Sequence, residues 1–90
     1  MSHAVVIRVK VDRDSDIEHR HSILNDYVIP EARALPGFQK DMWMNDGAGT
    51  GTCILVFDSV PYAQAAIAPM TRDGGPPVLD VGVHAVEIEA

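Results

Sequence analysis

Cysteine is nearly absent from this chain: Cys53 is the one thiol among ninety residues. It excludes an internal disulfide and fits a reducing compartment. Basic residues are also scarce, seven Lys and Arg against thirteen Asp and Glu, for a net charge of −6. The seven are scattered, so no run of them can track a phosphate backbone or an anionic membrane, and neither nucleic acid nor membrane is expected as a partner. Long hydrophobic runs are missing too. Nothing approaches the ~20 apolar residues of a membrane span. The opening MSHAVVIRVK has an apolar run too short for a signal peptide and carries charge inside it. Together these absences lead us to expect a cytoplasmic protein.

What is present is the balance of an ordinary globular protein, 47% apolar and 22% charged. Ninety residues make a single domain, 1–90, long enough to bury a core of its own only marginally. The clearest stretch is residues 29–59, IPEARALPGFQKDMWMNDGAGTGTCILVFDS, where turn and cap residues mark every junction. Before it, residues 4–11 alternate as a strand, with Val5, Ile7, Val9 and Val11 on one face and Ala4, Val6, Arg8 and Lys10 on the other. A helix follows. Asp14 or Ser15 can cap it, Ser15 and Glu18 having capping-box spacing. Its stripe is Ile17, His21, Leu24, Val28 and Leu35, widened by Ile23 and Tyr27. Pro30 should kink or end its first part, and Pro36-Gly37 stops it.

Phe38–Asn45 reads as a second strand, with Phe38, Met42 and Met44 alternating with Gln39, Asp41, Trp43 and Asn45. The glycine-rich run 46–51 joins two strands rather than a strand and a helix, so it reads as a hairpin loop and not a phosphate cradle. Thr52–Phe57 is a continuous apolar strand, expected in mid-sheet. Asp58-Ser59 caps a second helix with Pro61 in its first turn and Ala63, Ala66 and Ile67 as its buried stripe; Pro69 ends it. Residues 70–80 hold Gly-Gly-Pro-Pro and read as a loop. Val81–Glu89 is the last strand, with a bulge or close approach near Gly82.

The order strand, helix, strand, strand, helix, strand implies an α+β, ferredoxin-like βαββαβ domain. Both helices lie on one face of a four-stranded antiparallel sheet. The other face, apolar in places, then needs a cover, most simply a second copy of the chain, so a homodimer is expected.

The run Val28-x-Pro30-x-x-Arg33-x-Leu35-Pro36-Gly37-Phe38, with Val56-Phe57-Asp58-Ser59 opening an Ala-rich helix, resembles the dimeric α/β-barrel superfamily. Within it the chain looks most like small antibiotic-biosynthesis-monooxygenase-type proteins. The resemblance covers nearly the whole chain and implies a fold more than a chemistry. Members include cofactor-independent quinone-forming oxygenases, haem-degrading enzymes, and decarboxylating or isomerising enzymes. Haem degraders carry a Trp where this chain has Phe57 and an axial His on or after the second helix, whereas residues 60–80 hold no histidine. The resemblance therefore implies no cofactor. Quinone-forming members line a pocket with Trp, Asn and Tyr; Trp43, Asn45 and Tyr27 match in type, without a motif that places them.

Four residues are candidates for catalysis: His21, Tyr27, Trp43 and His84. His21, on the apolar stripe, is either a base for a phenolic or enolic substrate, since imidazole changes charge near neutrality, or a core or rim histidine with one satisfied hydrogen bond. His84 faces either the same pocket or the dimer interior. Trp43 with Met42 and Met44 suits either a flat aromatic ligand or an interface. His19 and His21 project about 200° apart on a helix and cannot share a metal ion, and no short motif joins His21, His84 and Asp41 into one site. Tyr62 and Arg72 could close over a pocket as a lid, or be plain surface. Cys53 reads as a buried, inert thiol. Two functions stay open: a small cofactor-independent oxygenase acting on an aromatic or polyketide-like compound, or a non-catalytic homodimer that binds a small ligand or another protein.

Overall fold

The structure, a computed structural model, describes residues 2–11, 16–72 and 74–89. Strand β1 (His3–Lys10) leads to a first helix in three segments. These are α1 (Ile17–Ile23), a π-helical turn (Leu24–Val28) and α2 (Ile29–Arg33). Strands β2 (Phe38–Asn45) and β3 (Thr50–Phe57) form a hairpin, followed by helix α3 (Val60–Met70) and strand β4 (Val78–Ala85). All pairings are antiparallel and the sheet order is β2-β3-β1-β4. This is the expected ferredoxin-like α+β arrangement, with the first helix and α3 packed on one face.

Alternation places the core. Val5 and Ile7 of β1 and Cys53, Leu55 and Phe57 of β3 face the helices and are buried, as are Ala32, Ala63 and Ala66 above them. Phe38 and Phe57 meet edge to face at 6.1 Å, a favourable arrangement of ring quadrupoles. Gly37 has φ of +76°, and a Cβ there would fall 2.4 Å from Tyr62 Cδ2. Only glycine admits both the left-handed backbone and the close approach of that ring. Tyr62 thus packs against the Pro-Gly turn, and the lid reading loses its basis.

Several local expectations are corrected. The helix cap is Asp16, whose carboxylate accepts from the Glu18 N–H at 3.0 Å; Asp14 and Ser15 lie outside the described residues. Pro30 does not end the first helix. The turn before it widens, and the Ile29 N–H reaches back five residues to Leu24 O. A wider turn relieves the clash between the proline ring and the preceding turn's carbonyl, so helical dihedrals continue through Val28 and Ile29. Pro69 likewise sits inside the last turn of α3, which runs on to Met70. The last strand begins at Val78 and stops at Ala85, and its register slips opposite Arg8/Val9, at Leu79 rather than Gly82. Close approach does occur at Gly82, where an added Cβ would lie 2.8 Å from His84 Nε2.

The most consequential correction is in β2. Its register shifts between Phe38 and Lys40, so Gln39 is an extra residue. Phe38 therefore shares the helix side with Asp41 and Trp43, while Lys40, Met42 and Met44 turn to the open side. There they join Ile54 and Val56 of β3, Ala4, Val6 and Arg8 of β1, and Gly82 and His84 of β4. No helix among the described residues is long and apolar enough to cross a membrane.

Candidate functional site

The first helix presents His21, Asn25, Ile29 and Arg33, every fourth residue, along edge strand β2. Positions four apart share a helix face. At one end of this row, Arg33 donates from Nε and Nη2 to the two carboxylate oxygens of Asp41, each at 3.2 Å. The Asp41 side chain is only 8% exposed and the arginine 60%. Burial alone would raise the Asp41 pKa. Hydrogen bonds from Arg33, the nearby Trp43 indole and the Arg33 charge outweigh it, and hold the carboxyl below its ordinary value.

Beyond that ion pair opens a cleft of about 200 Å³, lined by His21, Leu24, Asn25, Ile29 and Trp43. Leu24 and Ile29 make an apolar wall. His21, Asn25 and Trp43 bring the polar groups. Trp43 Nε1 is buried yet meets no partner at hydrogen-bond geometry among the described residues. The Asp41 carboxylate lies near enough to draw on this N–H, though not at good hydrogen-bond geometry. The cleft lies below the usual range for drug-sized ligands of about 300–1,000 Å³, and suits a compound of one or two fused rings.

Of the four candidate residues, the structure brings two together. His21 and Trp43 share the cleft. Tyr27 is 71% exposed and lines nothing. His84 is exposed on the open side of the sheet, over Gly82, with the whole sheet between it and Trp43. Asn45, at the end of β2, binds its own turn by accepting from the Gly47 N–H at 2.7 Å. His21 is itself exposed, at the rim rather than on a buried stripe, because α1 buries no residue at all. Arg72 pairs with Glu31 through two hydrogen bonds, at 2.6 and 2.8 Å, which ties the residue just past α3 to α2. Among the described residues no three His, Cys, Asp or Glu side chains are grouped to hold a metal ion.

Asn25 is the cleft residue that the sequence reading missed. The spacing of four from His21 through Asn25 and Ile29 to Arg33 was its available signal. Counting 3.6 residues per turn across the whole helix hides it, because the π-helical turn inserts a residue and rotates the phase at Leu24–Val28.

No family model matches the chain, and no curated protein does. Among solved structures the chain is similar to Rv0793 from Mycobacterium tuberculosis. The TM-score is 0.57 and the identity 21%, over 100% of this chain and 99% of that one. At that identity the likeness shows the fold, and it does so over the full length.

Proposed function

We propose that this protein is a small cofactor-independent oxygenase of the antibiotic-biosynthesis-monooxygenase type, acting on a one- or two-ring phenolic or enolic compound held in the His21–Trp43 cleft. The observation that carries this reading is a cleft that gathers an imidazole, an amide and an indole beside an apolar wall of Leu24 and Ile29. His21 removes the phenolic proton, and Trp43 N–H with the Asn25 amide holds the oxyanion. Dioxygen takes an electron from that anion, and the two radicals combine as a ring-carbon hydroperoxide. Loss of the ring hydrogen with hydroxide leaves water, so one phenol and one O2 give one quinone and one H2O. The test is oxygen uptake with naphthols and hydroxynaphthalenones. Stoichiometric uptake, reduced at least tenfold in His21→Ala, is expected. No uptake by the wild type with any of them overturns the reading.

A second reading, a non-catalytic ligand-binding homodimer, is favoured by the small size of the cleft and by the positions of Tyr27 and His84 outside it. Calorimetric binding of the same compounds without oxygen uptake would select it.

Both readings include a homodimer formed through the open side of the sheet. Met42 and Met44 are 56% and 44% exposed there, beside Ile54 and Val56. The accessible surface of 5927 Å² exceeds by about 760 Å² what a compact monomer of this mass shows, close to one partner's share of a standard interface. Sedimentation equilibrium should give twice the 9.8 kDa chain mass, and Ile54→Asp should give the chain mass. A wild-type monomer at micromolar concentration would remove the dimer.

A further inference from the structure

The open side of the sheet is covered at one end. Cross-strand pairing sets His84, Ala4, Val56 and Lys40 in one row from β4 to β2, and Gly82, Val6, Ile54 and Met42 in the next. Ala4 and Val56 are each only 8% exposed, whereas Val6 and Ile54, one row on, are half-buried. Beyond β4 the Val86 N–H still donates to Ser2 O at 2.9 Å, yet Glu89 meets Lys40 Nζ at 2.8 Å. Lys40 is on the far edge strand, about 14 Å away at the usual strand spacing. The steps from 86 to 89 span about 10 Å when extended. Residues 86–89 therefore turn straight across β1 and β3 at the end of the sheet that carries the buried row, and the two side chains close the remaining gap. The extra residue Gln39 is what turns Lys40 to this side. Neighbours in an extended segment point to opposite sides. With Glu89 turned to Lys40, Ile88 points away from the sheet, and at 85% it is the most exposed large apolar side chain among the described residues.

We propose that residues 86–89 are a clasp over the open side, and that each copy of the chain uses it to present Ile88 to the sheet of a second copy. This rests on the homodimer read above and names the anchor around which it is built. The Lys40 and Glu89 side chains are 57% and 42% exposed, and an ion pair that open to water holds a segment only weakly. A second copy on the same side takes water from the pair and gives Ile88 an apolar surface of the kind that Val6, Ile54, Met42 and Met44 make in the free chain. The clasp and these apolar rows lie on one side, so one docking event covers both. A two-fold interface repeats every contact, so two Ile88 anchors act together.

The test is the dimer dissociation constant, read by sedimentation equilibrium on the full chain. Ile88→Ala should weaken the dimer at least tenfold, as expected of an apolar anchor that the symmetry counts twice. Ile17→Ala, exposed on the helix layer, should leave it within about twofold of the wild type. Glu89→Lys and Lys40→Glu each set like charges together and should weaken it by about three- to tenfold. The double variant Lys40→Glu/Glu89→Lys restores opposite charges and should return to within about twofold of the wild type. An unchanged dissociation constant in Ile88→Ala overturns the clasp and leaves the dimer standing. A double variant as weak as the single ones does the same, and so does equal weakening by Ile17→Ala. A wild-type chain that stays monomeric removes the dimer, and the clasp with it.

Discussion

The two helices on the sheet face the same strands and solve their packing differently. Helix α3 lies on β1, β3 and β4 with alanines against the sheet; Ala63 is fully buried and Ala66 is 2% exposed. Small side chains allow close approach and leave no room beneath it. The first helix touches down only through α2, at Ala32, and α1 buries nothing. Its Ile17 and Ile23 are 56% and 41% exposed. The cleft of His21 and Trp43 lies under the loosely packed helix. One half of the layer supplies stability, and the other gives some of it up for a site.

The largest test of that contrast enlarges a side chain on the tight side. Ala63→Leu adds three carbons where none fit and should cost about 1–3 kcal/mol. Gly37→Ala places a methyl against Tyr62 at positive φ and should cost about 2–4 kcal/mol by combining strain and overlap. Urea denaturation reads both. A change under 0.5 kcal/mol in either would mean that α3 stands off the sheet.

Next in size is an alkaline effect from the core itself. Burial raises the Cys53 thiol from 9.0 to about 11. The folded chain then keeps this proton where the unfolded chain has lost it, so the Cys53 contribution to stability is constant below pH 9 and falls between pH 9 and 11. About 1–3 kcal/mol should be lost across that window relative to Cys53→Ala. Parallel pH profiles of the two proteins would contradict the buried thiol. Iodoacetamide at pH 8 should likewise leave Cys53 unmodified until denaturant is added.

How much of this was legible in the sequence follows the same division. Alternation in β1 and the alanine stripe of α3 are regular patterns, and they gave the β1 faces and the buried alanines directly, while the continuous apolar run of β3 gave its central place in the sheet. The errors cluster where one residue is added. Gln39 puts Phe38 on the Trp43 side of the sheet, and the π-turn moves Asn25 into the cleft and Tyr27 out to solvent. Insertion of a residue exchanges faces in a strand and rotates a helix by about 100°. Propensity carries no mark of either. Pro30 is the visible cue; a proline there predicts a kink or an end, and the chain answers it with a wider turn.

A smaller effect is expected at the ion pair that closes the cleft. The Asp41 carboxyl titrates below its ordinary value because Arg33 and Trp43 favour its charged form over the opposing effect of burial. Its contribution is complete above the unfolded value of about 3.9 and is lost as pH falls through the lower folded value. Thermal melts of Asp41→Asn should therefore lie below the wild type at pH 6, and the gap should narrow as pH falls below about 4. A gap that stays constant with pH would assign the effect to packing rather than charge.

The smallest expected change is on the open half itself. Ile23 is 41% exposed on a segment that buries no residue. Ile23→Ala removes little surface from contact and improves helix propensity slightly, so the two effects nearly cancel within about 0.5 kcal/mol. The same truncation of a buried isoleucine, Ile7→Ala in β1, should cost about 2–5 kcal/mol, which gives the comparison its scale. A loss above about 1.5 kcal/mol at Ile23 would mean that the first helix is covered in solution. Because the open side of the sheet lies away from this helix, that cover would have to be a contact other than the sheet-to-sheet dimer. Measuring Ile23→Ala at protein concentrations tenfold apart separates the cases: an intramolecular contact gives one value, and an intermolecular contact gives a loss that varies with concentration.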